Sequence, residues 1–157
     1  MTLEERIGAL EARNEIDRLI TRYARAVDED IDAELGAIFA GDAVLEILPW
    51  SGGPVEGRGR VVATFKDYIA KFANRKRFVA NRVIDVTGPD GATGWANWFV
   101  VQANAGQSYV GWGSYDWTFR RVGGVWEIAR MVITVDCMTT RDKGWADLES
   151  LVAAYPE

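Results

Sequence analysis

Three stretches near the C-terminal end decide the architecture: Gly94–Ala103 (GWANWFVVQA), Ser108–Val122 (SYVGWGSYDWTFRRV) and Val125–Cys137 (VWEIARMVITVDC). Each is rich in β-branched and aromatic residues, which suit a pleated, half-buried surface. Asn104-Ala105-Gly106-Gln107 and Gly123-Gly124 separate them, and Gly88-Pro89-Asp90-Gly91 separates the first from an earlier strand signal over Phe78–Val86. Such Gly, Asn and Asp pairs are hairpin turns, because they tolerate positive φ. The four runs therefore predict an antiparallel meander.

The residues ahead of the meander read differently. From Ile16 the apolar positions are Ile16, Leu19, Ile20, Tyr23, Ala24 and Val27, one stripe at helical spacing. Thr2 and Glu5 have the spacing of a capping box. A short helix is expected over about Ala33 to Phe39, a short strand over Leu45 to Trp50, and a third helix over about Arg60 to Ala73, its stripe being Val61, Val62, Phe65, Tyr68, Ile69 and Phe72. Residues 144–154 suggest a last short helix. Helices segregated from strands predict an α+β fold. A curved sheet closed by helices makes a cone with an internal hole, a natural small-molecule site.

Composition removes many chemistries. The chain of 157 residues is one domain's worth, has no histidine and one cysteine, and carries a net charge of -5. Imidazole bases, Ser-His-Asp and Cys-His nucleophiles, His-ligated zinc and cysteine-rich metal sites are excluded. No metal or other cofactor is expected. An acidic chain without a basic run is a poor partner for nucleic acid or an anionic membrane. No apolar run is long enough to span a bilayer. The N-terminus lacks the basic and apolar regions of a secretory signal, and the expected compartment is the cytoplasm. The loop SGGPVEGRGR, residues 51–60, is glycine-rich but lacks the Lys-Ser/Thr of a phosphate loop. It reads as a turn at the mouth of the hole.

What remains for chemistry is carboxylates, tyrosines and arginines among seven Trp, five Tyr and six Phe. Asp28 lies four residues after Ala24, on the flank of the first helical stripe. A carboxylate desolvated in an apolar hole can exchange a proton near neutral pH; otherwise it caps the helix end, beside Asp30 and Asp32. Tyr23 is close enough along the helix to share that hole and polarise an oxygen, or it is a core tyrosine. Arg77 cannot act as a base. It either holds Asp28 ionised and clamps a substrate carboxylate or enolate, or belongs to a solvated run with Arg75 and Lys76. Strand alternation assigns faces. Trp98, Val100 and Gln102 share the concave side with Ala96, Trp112 and Ser114 with Asp116, and Met131 with Ala129, Ile133 and Val135. Asp116 is then a second acid, or a cross-strand partner of Arg120 or Arg130. A one-residue slip would exchange these faces and bring Asn97 inward. Tyr115, Trp117 and Phe119 fall on the convex side, where an exposed aromatic row signals a partner. A homo-oligomer, dimer or trimer, is expected through it. Trp126 reads as core.

Several of these residues also carry a resemblance. Ile16…Leu19…Tyr23-Ala24…Val27-Asp28…Asp32…Leu35…Phe39…Asp42-Ala43, Glu56-Gly57-Arg58, Asn81, Ala92, Gly113-Ser114-Tyr115-Asp116 and Gly124-Val125-Trp126-Glu127-Ile128 together resemble the SnoaL-like, scytalone-dehydratase-like branch of the nuclear-transport-factor-like (ketosteroid-isomerase-like) α+β barrels. The likeness covers about residues 5–137 of a single domain, with a C-terminal extension over residues 138–157. It implies a cone-shaped barrel and cofactor-independent chemistry: dehydration, dehydrochlorination, cyclisation, isomerisation or epoxide hydrolysis. In the dehydratase-like members an Asp at the end of the first helix pairs with a His. Asp28 matches that Asp, and Arg77 stands where the His would be. The reading is a carboxylate-mediated proton transfer on an apolar, cyclic polyketide-, terpenoid- or steroid-like molecule, dehydration before isomerisation or cyclisation. Asp28 and Tyr23 are the catalytic pair, with Trp98, Trp112, Ser114, Asp116, Met131 and Arg77 against the substrate. The alternative is a binding or assembly module that kept the cone without catalysis.

Overall fold

A computed structural model describes residues 2–49 and 52–142 of the chain. The helix expected over residues 144–154 lies outside them. The first helix, α1 (Leu3–Glu29), begins at the predicted capping box, with Thr2 and Glu5 each accepting the other's backbone N–H. It ends at Asp30, whose left-handed φ of 57° lets its N–H return to the Ala26 carbonyl. Helix α2 (Asp32–Ile38) follows, then β1 (Phe39–Leu48), the two-residue β2 (Val55–Glu56), α3 (Arg58–Lys71), and the meander β3 (Ala73–Gly88), β4 (Gly91–Asn104), β5 (Gln107–Val122) and β6 (Val125–Thr140). The α+β class and the four meander strands agree with the sequence. The turn at Ala105-Gly106 has φ of 49° and 79°, and that at Gly123-Gly124 has 57° and 84°. Two successive positive values match the right-handed twist of the flanking strands.

The sheet is larger than the meander. Its order is β2-β1-β6-β5-β4-β3, with β1 parallel to β6 and every other pair antiparallel. The strand expected from Leu45 starts instead at Phe39. A parallel neighbour so distant in sequence leaves no hairpin signal between the two strands. Helix α1 lies against β3, and α3 against β1, so the helices close one face of the curved sheet. Ile16, Leu19, Ile20, Tyr23 and Val27 are buried there, as their spacing predicts, and Trp126 is core.

The face of β4 is as expected, with Ala96, Trp98, Val100 and Gln102 inward, and so is that of β6 at Met131, Ile133 and Val135; Ala129 falls at a register shift, where Ile128 takes the inner place opposite Phe119. Strand β5 is inverted. Tyr115, Trp117 and Phe119 are buried on the concave side, whereas Trp112 and Ser114 are half-buried and Asp116 exposed on the outer one. Side-chain size explains this. Tyr115 sits opposite Ala96, Trp117 opposite Gly94, and Phe119 opposite Ala92, while Trp98 sits opposite Gly113. Directly opposed residues share a face, so each large ring needs a small partner. The outer apolar surface is a different set: Phe78, Val83, Trp95, Phe99 and Val101, with Phe78 56% and Phe99 41% exposed.

Candidate active site

The last turn of α1 and the start of β3 meet at one buried ion pair. The Asp28 carboxylate accepts from Arg77 Nε at 2.9 Å and from the Arg77 backbone N–H at 2.8 Å. Both side chains are 6% exposed. The Arg75-Lys76-Arg77 run is not a solvated patch. Alternation along β3 turns Arg75 and Arg77 inward and Lys76 outward. The Arg75 guanidinium donates to the carbonyls of Val27, Ile69 and Phe72, and reaches that of Asp28 at 3.4 Å. One arginine thereby caps the ends of α1 and α3, where helix carbonyls lack partners.

The far end of Arg77 faces three phenols. Nη1 donates to Tyr23 Oη at 3.2 Å and Tyr115 Oη at 3.4 Å, and Nη2 to Tyr68 Oη at 3.3 Å. Tyr23 Oη donates to Tyr115 Oη at 3.4 Å, and Tyr68 donates to Gln102 Oε1. The guanidinium also lies 5.7 Å from the Tyr23 ring centre and 5.6 Å from that of Tyr68, within cation–π range. Burial works against the charge on Arg77, but the tyrosine oxygens and the Asp28 carboxylate outweigh it and hold its pKa well above the ordinary arginine value. Burial raises the pKa of Tyr23 well above that of a free phenol and raises that of Tyr68 too, against the opposing pull of Arg77. Both remain protonated donors at neutral pH.

Beyond this cluster opens a cavity of about 490 Å³. Arg77, Tyr68 and Tyr115 supply its polar end, and its walls include Phe65, Phe72, Trp98, Val100, Val135 and Met138. Thr64, Asp67 and Lys71 of α3 border it, with Gly52 and Gly53 of the glycine-rich loop. That loop contributes to the cavity, as read from the sequence. An apolar chamber with a few converging polar groups is the usual form of a small-molecule site. Among the described residues, no three acidic or cysteine side chains gather in a way that could hold a metal ion.

The predicted residues separate into three groups. Arg77 and Trp98 line the cavity, with the Trp98 indole N–H fixed on the carbonyls of Ser114 and Thr134, both at 3.2 Å. Tyr23 and Asp28 stand behind Arg77 and are not cavity-lining residues, and Met131 is fully buried in the core opposite Trp117. Trp112, Ser114 and Asp116 belong to the outer face, a correction that follows from the inverted β5. Sequence reading missed Tyr68 and Tyr115 as cavity residues, and Gln102 as the buried acceptor of the Tyr68 hydroxyl. Tyr68 was visible in the α3 stripe. Tyr115 was recoverable from the match of Tyr115, Trp117 and Phe119 to the small residues of β4.

Residues 8–132 match the family described as SnoaL-like domain. The chain belongs to this family. No curated protein matches it at the level of sequence. Solved structures share the SnoaL-like cone at low identity. The hexachlorocyclohexane dehydrochlorinase LinA type 2 has a TM-score of 0.79 at 18% identity, over 85% of this chain and 91% of that one. A candidate scytalone dehydratase of Novosphingobium aromaticivorans DSM 12444 has a TM-score of 0.77 at 20% identity, over 84% and 89%. A protein of unknown function from Nostoc punctiforme, described as having a cystatin-like fold, has a TM-score of 0.64 at 24% identity, over 79% and 90%. At these identities the likeness establishes the nuclear-transport-factor-like fold, in which a dehydrochlorinase and a dehydratase-like protein sit beside proteins of unknown activity. Among the described residues, no helix is long and apolar enough to cross a membrane.

Proposed function

We propose that this SnoaL-like protein is a cofactor-independent enzyme that moves a proton on an apolar, cyclic polyketide-, terpenoid- or steroid-like molecule. Dehydration is the first choice, ahead of isomerisation or cyclisation. One observation carries the reading: Arg77, fixed by Asp28, presents a charged guanidinium at the floor of an apolar cavity, beside Tyr115. A ketone oxygen placed there gains negative charge as a neighbouring C–H loses its proton. Fixed donors in a dry site stabilise that enolate more than the neutral ketone, which is what lowers a barrier. In a dehydration the C–O bond to the β-hydroxyl then breaks as the enolate re-forms the carbonyl. The proton lost from carbon is returned, by way of water, to that hydroxyl, which leaves as water. Arg77 and Tyr115 are the groups that touch substrate in this reading. Asp28 is a positioning residue, not the proton carrier expected from sequence.

The test is deuterium exchange of α-protons and enone formation, followed on bicyclic ketones and β-hydroxy ketones. The native protein should accelerate both over buffer. Arg77→Met should lose about 100-fold or more, the scale of removing an oxyanion donor. A protein that binds such ketones and accelerates neither reaction overturns the proposal. The second reading, a binding module, draws on the Asp28 carboxylate, both oxygens of which are occupied by Arg77.

We further propose that a second copy of the chain covers the outer sheet face, and that the protein works in the cytoplasm. The Phe78 and Phe99 rings meet at 6.4 Å there and continue across Trp112. Along the strand direction, exposed Lys76 lies at one end of this face and exposed Asp85 and Asp116 toward the other, where Arg130 is already paired with Glu46. A two-fold pairing brings the basic end of one copy to the acidic end of its partner, the self-complementarity that such interfaces require.

A further inference from the structure

The chamber lies over two successive inner positions of β5 that carry no side chain. In the cross-strand rows Gly111 stands between Val100 and Met138, and Gly113 between Trp98 and Val135. All four neighbours line the cavity. Tyr109 and Tyr115, both buried, bound the glycine pair along the same face. The two glycines are not equivalent. A Cβ on Gly113 would run into the Thr134 carbonyl, which belongs to the sheet and cannot step aside. A Cβ on Gly111 would lie 2.5 Å from Met138 Cε, 2.6 Å from its Sδ and 3.0 Å from the Cys137 carbonyl oxygen. Its main obstacle is therefore the end of a flexible side chain. Met138 lies down over the glycine, with Gln102 Nε2 3.8 Å from its sulfur. A thioether with three rotatable bonds takes the space it is given.

We propose that Gly111 sets how large a ring system the chamber admits, by giving Met138 a place to lie flat on β5. Carbon atoms in contact sit about 3.5–4.0 Å apart, so a methyl at position 111 would displace the thioether by about 1 Å or more. An inner Cβ points away from the sheet, and on that side of Met138 lies the chamber it lines. A close-packed interior has few other voids to receive it. The chamber would narrow between the sheet and the α3 side chains Tyr68 and Phe72. Gly111 is thus a positioning residue that acts through Met138. The inference rests on the cavity being the ligand site, but on binding alone and not on turnover.

The test compares α-tetralone with its linear three-ring homologue, tetrahydroanthracenone, by calorimetry on the purified full chain. The native protein should bind the larger ketone at least as tightly as the smaller, since another apolar ring leaves water. In Gly111→Ala the affinity ratio of larger to smaller should fall about 10-fold, the scale on which a pocket rejects one methylene too many. In Met138→Ala the ratio should rise by about threefold or more. Adding Gly111→Ala to that variant should then change the ratio by less than about threefold, the mark of two residues acting through one contact. This rescue separates a wall set through Met138 from a general loosening of the fold. If Gly111→Ala alone does not fold, Met138→Ala decides, a rise in the ratio upholding the inference and no rise overturning it. A fall of less than about threefold in folded Gly111→Ala overturns it, as does an equal fall with and without the Met138 side chain. So does a native protein that binds neither ketone, or the smaller one alone. Exchange of α-protons is followed in the same samples. Size selection without exchange upholds the inference and removes the enzymatic reading, and exchange with an unmoved ratio does the reverse.

Discussion

Asp28 grips Arg77 at two points, the side chain at 2.9 Å and the backbone N–H of the same residue at 2.8 Å. The carboxylate thus fixes both the guanidinium and the strand that carries it. Removing one partner leaves a buried charge without compensation, which costs about 3–5 kcal/mol.

Asp28→Asn and Arg77→Met should each lower the denaturation midpoint sharply. The joint Asp28→Leu, Arg77→Met protein should recover most of the loss, since an apolar pair of similar size satisfies the same space. Paired urea titrations measure this. A double variant no more stable than its parents would show that the pair is not the source of the cost.

Gly113 is a steric requirement. A Cβ there would lie 1.9 Å from the Thr134 carbonyl oxygen and 2.9 Å from the Trp98 ring. Gly113→Ala should therefore destabilise the fold by about 1–3 kcal/mol or more, the cost of overpacking a filled core. It should also disturb binding in the cavity by moving Trp98. A melting temperature equal to that of the native protein would contradict this geometry.

Tyr23 and Tyr68 have raised pKa values in the folded state, chiefly through burial. The folded protein then holds more protons than the unfolded chain once the pH passes the ordinary phenol value of 10.0. Their contribution is complete below that pH, and stability falls as the pH rises through the folded values. Tyr23→Phe should weaken this alkaline loss. Urea midpoints across an alkaline series, with tyrosinate absorbance alongside, are the measurement, and a native slope equal to that of Tyr23→Phe would exclude Tyr23 as its source.

The outer stripe gives the prediction on assembly. Native mass spectrometry should find a self-assembly in the wild type and a monomer in Phe99→Glu, because a charge at the stripe's centre would be buried unpaired on association. A wild type that is monomeric at micromolar concentration would remove the proposed contact.

Much of this molecule is legible in the order of its residues. The helical stripe from Ile16 to Val27 and the turn pairs at Ala105-Gly106 and Gly123-Gly124 carry strong local periods, and they form as read. The face of β5 was misread because alternation gives two rows without saying which is inner. Size matching across the hairpin, Tyr115 on Ala96 and Trp117 on Gly94, holds that answer. The tyrosine cluster was hidden for another reason. Tyr23, Tyr68 and Tyr115 come from three separate elements, and only the tertiary fold brings them to one guanidinium. Arg77 itself was legible in position but ambiguous in role, since a basic triplet gives no hint that its two arginines turn away from water.

Arg75 and Arg77 depart from the strand on the same side, two positions apart. One extra residue inserted between the close of α3 and Arg75 would evert both at once. The carbonyls of Val27, Ile69 and Phe72 would lose their shared donor, and Lys76 would stand in the place of Arg77, a single ammonium without the fork that reaches Asp28 and three phenols together. The spacing from Phe72 to Arg77 should therefore tolerate exchange of side chains far better than any change in length.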